Sequence, residues 1–549
     1  MKHTAGSKIR ALILIAAMTL TVAACAGAGT GGTQGGAQTA DTPPDAVLRT
    51  AISADIVIMD AHKTSNDYLV PMNVFDSLFV IEKNEDGSTK IVNSLVSDYE
   101  VSDDGLTYSF TLRDGVVFSD GTPLTADDVK FTFERILTLP ESAQTDFVIA
   151  IEGAEALMEG SAQECSGIRV QDDQHFTITL SEPFSGFIAQ LATPSTCIYS
   201  GKIVTEAGDD FGTVPEKTIG TGPYIVTEWN RGSGLTFEYN PRYWGEEPDA
   251  KRVEVSVMDA SSMEMAFQKG DIDILDCSYL DSAIVQRTYK EGAYKDSIVS
   301  VNTVGSRYFM LNEKIEPLGD KRVRRAVQMA VDRESILQAV YGGDGKLEDG
   351  IYPTGCLGYS EDNQGWLTYD PDGAKALLAE AGYADGFTME ISLDSSSTDA
   401  VKHAVQIIAQ NLQAVGINAE IKSYDHASWL DLRNSGNMNC FVAVWLLDFN
   451  DPDNIIYTFF GNTENTVVRS NNYDDAETIA RVAAARHITD NDERMKEYAA
   501  LEKKLVQDDA VWVPLYSLNH LFVKGERIAS FTPQWAGWND IYFTDIGFH

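Results

Sequence analysis

The period of the apolar residues changes near residue 320, and no other feature constrains the fold as much. Before that point Leu106-Thr-Tyr-Ser-Phe-Thr-Leu112 alternates apolar with polar, the period of a half-buried strand. Asp114-Gly115 and Asp120-Gly121 are turn formers around the short run Val116-Val117-Phe118, so the region is rich in hairpins. Thr125 with Asp128 makes a variant capping box ahead of Val129, Phe133, Ile136 and Leu137, which predicts a helix from about Ala126 to Leu137. Strands are expected at Thr177–Leu180, Tyr224–Thr227, Leu235–Tyr239, Arg252–Val257 and Asp271–Leu275.

Beyond residue 320 the pattern turns helical. Asp320 can cap a helix bearing Val323, Val327, Ala330 and Val331. Pro371 can open another that carries Ala374, Leu377, Leu378 and Ala381 and stops at Gly382. A strand over Phe387–Leu393, a helix over Ala400–Val415 and a strand over Ile417–Ser423 then form a βαβ unit. At 549 residues the chain exceeds the roughly 250 to 300 at which one core stops growing. A β-rich half followed by an α/β half therefore implies at least two lobes, with the cleft between them as the expected ligand site. The strand-like Trp512-Val-Pro-Leu-Tyr516 and the cluster Trp535, Trp538 and Tyr542 are expected to return onto an earlier lobe.

Charge narrows the partners. Against 82 Asp+Glu stand 42 Lys+Arg, a net −40 that repels phosphate backbones and anionic headgroups and argues against nucleic acid. Lys2, Lys8 and Arg10 precede the apolar run Ala11–Ala24, which reads as the secretory signal peptide 1–24. At 14 residues that run is shorter than the about 20 a membrane span needs. Val22-Ala23-Ala24-Cys25 resembles a bacterial lipobox, which would make Cys25 the lipidated N-terminus. Residues 25–45 then form a small, polar, Gly-rich leash that holds the body outside the membrane. Five other cysteines remain, an odd number in a compartment that permits disulfides, and Cys165 with Cys197 is the first candidate pair.

Signatures of catalysis are absent: no G-x-S-x-G, no H-E-x-x-H, no G-x-x-x-x-G-K-[ST] and no Ser-x-x-Lys. No C-x-x-C or Cys/His cluster suggests zinc, so no metal and no cofactor are expected. The reading is a protein that binds and does not react.

Several segments together resemble one family, the extracytoplasmic solute-binding proteins of family 5, the peptide/nickel/opine class that serves ABC importers. They are Asp103 to Val129, Gly220-Thr-Gly-Pro-Tyr224 with Asn240-Pro-Arg-Tyr-Trp244, and Gly270-Asp-Ile-Asp273. Val323-Arg-Arg-Ala-Val327 with Asp332-Arg-Glu334, and Tyr369-Asp-Pro371 to Ala381-Gly-Tyr383, follow in the same order. Read from the residues alone, most of these are structural: Gly220-Thr221-Gly222 is a tight reversal, and Arg322, Arg324 and Arg325 form a solvated helix face.

The resemblance implies an α/β, bilobal periplasmic-binding-protein-like fold (type II, cluster C) with an extra domain inserted in the first lobe. Lobe I would comprise 46–71, 196–302 and 506–549, the inserted domain 72–195 and lobe II 303–505. A monomer of this kind would bind oligopeptides or dipeptides between its lobes and deliver them to permease subunits from the extracytoplasmic face of the cell membrane. A sugar, opine or metal complex held by the same fold, and a surface hydrolase, stay open as alternatives.

The segment Phe441-Val-Ala-Val-Trp445-Leu-Leu-Asp448 is the most informative about the ligand. An apolar strand running into Trp and then Asp can place an aromatic wall and a carboxylate together at a lobe edge. In resembling peptide binders the matching Trp lines the pocket and the matching Asp pairs with the peptide's α-ammonium, which assigns those roles to Trp445 and Asp448. The resemblance also puts a cation for the far carboxylate near the start of the helix over 400–415, where this chain has Lys402 and His403 instead of Arg. A longer peptide bound by its amine and backbone is equally compatible. Its backbone would add between Ala443, Val444 and Trp445 and the loop carrying His62 and Thr64.

Overall fold

Strand Trp512–Lys524 organises the molecule. Its sequence WVPLYSLNHLFVK is apolar along most of its length because it is buried along most of its length. Its first half pairs antiparallel with Gly305–Met310, which in turn pairs with Phe441–Leu446. Its middle pairs with Gly345–Leu347, and its second half with Ile298–Asn302 and Ile274–Asp276. The register against Gly305–Met310 shifts between Arg307 and Tyr308, next to Pro514. Proline has no N–H for the ladder, and a bulge is where a strand tolerates it. The computed structural model describes residues 47–65, 67–83, 89–533 and 541–549. The expected signal peptide and leash, Cys25, Trp535 and Trp538 lie outside them.

Two further sheets complete the β-rich half. Val47–Ile52 runs parallel to Arg252–Val257, which continues antiparallel through Gly234–Tyr239 to Tyr224–Asn230. Val96–Val101, Thr107–Leu112, His175–Thr179 and Ile168–Val170 form the other, in that order. Beside this second sheet lies helix Ala126–Thr138, whose Thr125 and Asp128 make both bonds of the capping box. The βαβ unit is present: Phe387–Asp394 and Ile417–Tyr424 pair in parallel over their full length, joined by helix Asp399–Ala414. Gly220 and Gly222 serve close approach: a Cβ at Gly220 would stand 2.0 Å from the Val74 carbonyl oxygen.

Apolar side chains gather in separate cores. One draws on Leu48 to Phe75, Cys197 to Ile274 and Phe522 to Ile546. Another lies around Phe309, Val327, Ile391, Val405 and Leu515. The largest takes residues between Leu78 and Ile198 and between Val301 and Trp512 without a break. The segment expected as an inserted domain thus rests on the C-terminal part of the body. Phe147 meets Phe449 edge-on at 6.2 Å, Ser185 Oγ donates to the Ile488 carbonyl at 2.7 Å, and Asn450 Nδ2 donates to Thr89 Oγ1 at 2.6 Å. Among the described residues no helix is long and apolar enough to cross a membrane.

Two expectations need correction. Arg324 and Arg325 do not form a solvated face with Arg322. Arg324 is 3% exposed and donates to the carbonyls of Asp509 and Leu318, and Arg325 donates to that of Gln507. The bend at 507–509 leaves carbonyls that need donors, and the helix supplies them. Cys165 and Cys197 are not paired: all five cysteines among the described residues are buried free thiols. Cys165 Sγ lies 3.4 Å from the Glu152 carbonyl oxygen, while Cys197 belongs to a different core.

Candidate functional site

Strand Phe441–Leu446 ends its sheet. Cys440 bridges Ile391 in parallel, and beyond it the only strand partner among the described residues is Gly305–Met310. The outer backbone edge along Ala443, Val444 and Trp445 is therefore open. Alternation puts Ala443 and Trp445, opposite Tyr308 and Ser306, on one face and Val444 on the other, 43% exposed.

Asp451 and Pro452 open the next helix, Pro452–Phe460, with the Asp451 side chain accepting from the Asp453 N–H. That start brings Asn454 back to the strand end. Asn454 Oδ1 accepts from Trp445 Nε1 at 2.8 Å and from the Asp448 N–H at 3.3 Å, while its Nδ2 donates to Asp448 Oδ2 at 3.1 Å. This amide orientation alone gives every partner the correct polarity. Phe459, from the same helix, meets Trp445 edge-on at 5.5 Å.

Asp448 is solvent-exposed, yet desolvation pushes its carboxyl above the usual range. Both hold when a side chain faces a solvent space walled by protein. The Asn454 bond lowers the value, the Asp146 charge raises it, and the Arg469 charge lowers it. Tyr68 stands near enough for the Asp448 charge to add to the burial that raises its phenol. Its Oη lies 2.9 Å from Ser195 Oγ and accepts from Gln144 Nε2 at 3.1 Å. The Arg469 guanidinium lies 4.8 Å above the Trp445 ring. Residues from 64–68, 144–147 and 443–469 thus converge on Asp448.

The structure brings Trp445, Asp448, Ala443 and Val444 together but treats the other expected residues differently. His62 is wholly buried, with Nδ1 2.6 Å from Arg135 Nη1 and its ring 4.4 Å from Tyr199. Burial, reinforced by the Arg135 charge and opposed by Asp60, pushes its imidazole down to about 3. Its place is inside the Asp60–Arg135 pair, not against a ligand.

The loop itself is a 3-10 turn over Ala61–Lys63, not an extended partner strand. Gln144 Nε2 donates to the Ala61 and Thr64 carbonyls, and the Ala143 N–H to that of His62. Thr64 is buried too. Lys402 pairs with Asp399 at 3.6 Å and His403 is exposed, and neither is among the groups acting on Asp448. The helix bearing them packs on the βαβ strands through Val405, Ile408 and Leu412, and its own acid answers the lysine.

Sequence reasoning missed Arg469, Arg433, Asp146 and Tyr68, none of which stands in a motif. Only Asn454 carried a signal, one turn inside a helix announced by Asp451-Pro452.

Residues 90–467 match the family model of bacterial extracellular solute-binding proteins, family 5 Middle. The dipeptide-binding protein of Escherichia coli K12 is 30% identical over 390 residues, 68% of this chain and 71% of that protein. The probable D,D-dipeptide-binding periplasmic protein DdpA of the same strain is 27% identical over 89% of this chain and 92% of its own. HbpA2 of Haemophilus parasuis superposes with a TM-score of 0.79 at 23% identity, covering 92% of this chain and all of that one. A bilobal α/β body with an enclosed polar cleft defines a solute-binding protein. The chain belongs to the bacterial extracellular solute-binding proteins of family 5.

Proposed function

We propose that the protein binds short peptides at Asp448 and Trp445 and hands them to the permease of an ABC importer. The observation that carries this reading is the Trp445–Asn454–Asp448 unit: an aromatic wall and an oriented carboxylate at the end of an open-edged strand. The carboxylate receives the α-ammonium, in surroundings where an ion pair escapes the screening that makes surface pairs weak. The open edge at Ala443–Trp445 receives peptide backbone, which is blind to side chains. The relatives described as binding dipeptides support the same ligand class.

The protein works as a monomer, binds without reaction and closes on its ligand by a hinge movement. Cys25 carries the lipid that keeps it on the extracytoplasmic face of the cell membrane, with the Gly-rich segment as leash. The test is native mass spectrometry of the purified protein followed by calorimetry with whatever it carries. Peptide masses support the reading; a sugar, an opine or a metal complex in their place overturns it.

A further inference from the structure

The cleft holds more positive charge than its described neighbours balance. Arg469 caps the end of helix Thr463–Val468, with its guanidinium 4.8 Å over Trp445 and 5.4 Å over Phe459. Its Nε is buried without a hydrogen-bond partner, and among the described residues no carboxylate oxygen lies within 4.0 Å of its nitrogens. Arg433, in the last turn of helix His426–Asn434, donates only to a neutral acceptor, the Asn434 side-chain oxygen, at 2.9 and 3.1 Å. The two helices end side by side, since Ser470 Oγ donates to the Arg433 carbonyl at 2.7 Å.

Burial holds both guanidinium groups below their usual range, and the Arg433 charge adds to the effect on Arg469. Arginine has no acceptor atom and does not give up its proton in a protein, so a desolvated pair of this kind calls for an anion. Asp448 and Asp146 act on Arg469 electrostatically from beyond ion-pair distance. Trp445 lies under the fork and limits its freedom, which prepares it for bidentate contact.

We propose that Arg469, backed by Arg433, receives a carboxylate of the ligand, so that the cleft takes a short zwitterion with its ammonium at Asp448. The inference rests on the peptide reading above and adds a requirement for a free C-terminus and a short span. An extended chain covers at most about 3.3 to 3.6 Å per residue. Two sites sharing Trp445 therefore suit dipeptides and tripeptides, and Arg469 takes the role that Lys402 and His403 do not.

The test is competition binding, read by native mass spectrometry, with an equimolar pool of dipeptides and tripeptides lacking Asp and Glu. The pool is offered with free ends, C-amidated and N-acetylated. The wild type is expected to retain the free pool at least about tenfold better than either blocked pool, the scale of one hydrogen bond to a charged group. Arg469→Gln should remove the preference over amides and keep the preference over N-acetyl peptides; Asp448→Asn should do the reverse. Arg469→Lys should keep part of the preference.

A wild type that binds free and amidated peptides alike overturns the inference whether or not the variants fold. So does Arg469→Gln losing both pools equally, which marks Arg469 as a wall of the pocket only. If the wild type retains none of the three pools, the peptide reading falls first and the inference with it. A pool with Glu or Asp side chains and amidated ends separates a side-chain carboxylate from a terminal one.

Discussion

The indole N–H of Trp445 donates to the side-chain oxygen of Asn454 at 2.8 Å. Because the same amide gives its N–H to Asp448, one neutral side chain sets both the aromatic wall and the carboxylate. Asp448→Asn should weaken peptides with free amines by about 1.5 to 3 kcal/mol and leave N-acetylated peptides nearly unchanged. Asn454→Leu should weaken both classes, since it frees the indole as well as the carboxylate. Calorimetry on the two peptide classes measures this, and equal losses in Asp448→Asn would show that Asp448 serves only the fold.

Acid should weaken binding earlier than for an ordinary carboxylate. Desolvation raises the Asp448 carboxyl in the free protein, so it takes up a proton, and loses its attraction for an ammonium, at a pH above the usual range. A ligand cation favours the ionised form, and peptide binding in mild acid should therefore release a proton. Calorimetry in buffers of different ionisation heat detects that release, and it should vanish in Asp448→Asn.

Glu502 makes stability fall with rising pH. Its carboxylate accepts the N–H groups of Ile351 at 2.6 Å and Tyr352 at 2.9 Å and the Asn363 amide at 2.6 Å, but burial still pushes it up to about 7. The folded value lies above the unfolded one, 4.5. The group's stabilisation is therefore complete below the unfolded value and is lost as pH rises through about 7. Relative to wild type, Glu502→Gln should show a smaller drop in Tm between about pH 5 and about pH 8. An equal drop in both proteins would assign the effect elsewhere.

The contact of segment 182–185 with residues 486–488 should govern closure. Ser185 donates twice, from Oγ to the Ile488 carbonyl at 2.7 Å and from its N–H to that of Arg486 at 3.3 Å, and His487 Nδ1 lies 2.6 Å from the Pro183 carbonyl oxygen. If these parts separate when the cleft opens, Ser185→Ala should cost about 0.5 to 1.5 kcal/mol of closed state. Every ligand should then weaken by the same factor, with blocked or free ends, and the radius of gyration without ligand should rise. A loss confined to one class of ligand would refute a role in closure.

Cys25→Ser should release the protein from the membrane fraction, read by blotting soluble and membrane fractions. Unchanged partitioning would remove the lipid anchor from the account.

Periodicity carried the fold well where one face of an element is buried. The βαβ unit came out within one residue at each boundary, because Val405, Ile408 and Leu412 mark one face of the helix without ambiguity. Trp445 and Asp448 were legible because a strand that ends on Trp and Asp is unusual in composition. Arg324 and Arg469 were not, since an arginine's burial depends on carbonyls and rings supplied from distant parts of the chain, such as Asp509 and Trp445. His62 failed for the same reason. What surrounds it, Arg135 and Tyr199, lies 73 and 137 positions away, so no local pattern records it.

Strand Trp512–Lys524 stands between four others that precede it by up to about 250 residues, Ile274–Asp276 being the earliest. Until those thirteen residues are made, the strands on both sides lack their common neighbour and neither end of the sheet can be finished. Contacts of such long sequence separation form slowly. A chain assembled in this order stays loose for nearly the whole of its synthesis, the condition in which it can still be threaded through an export channel.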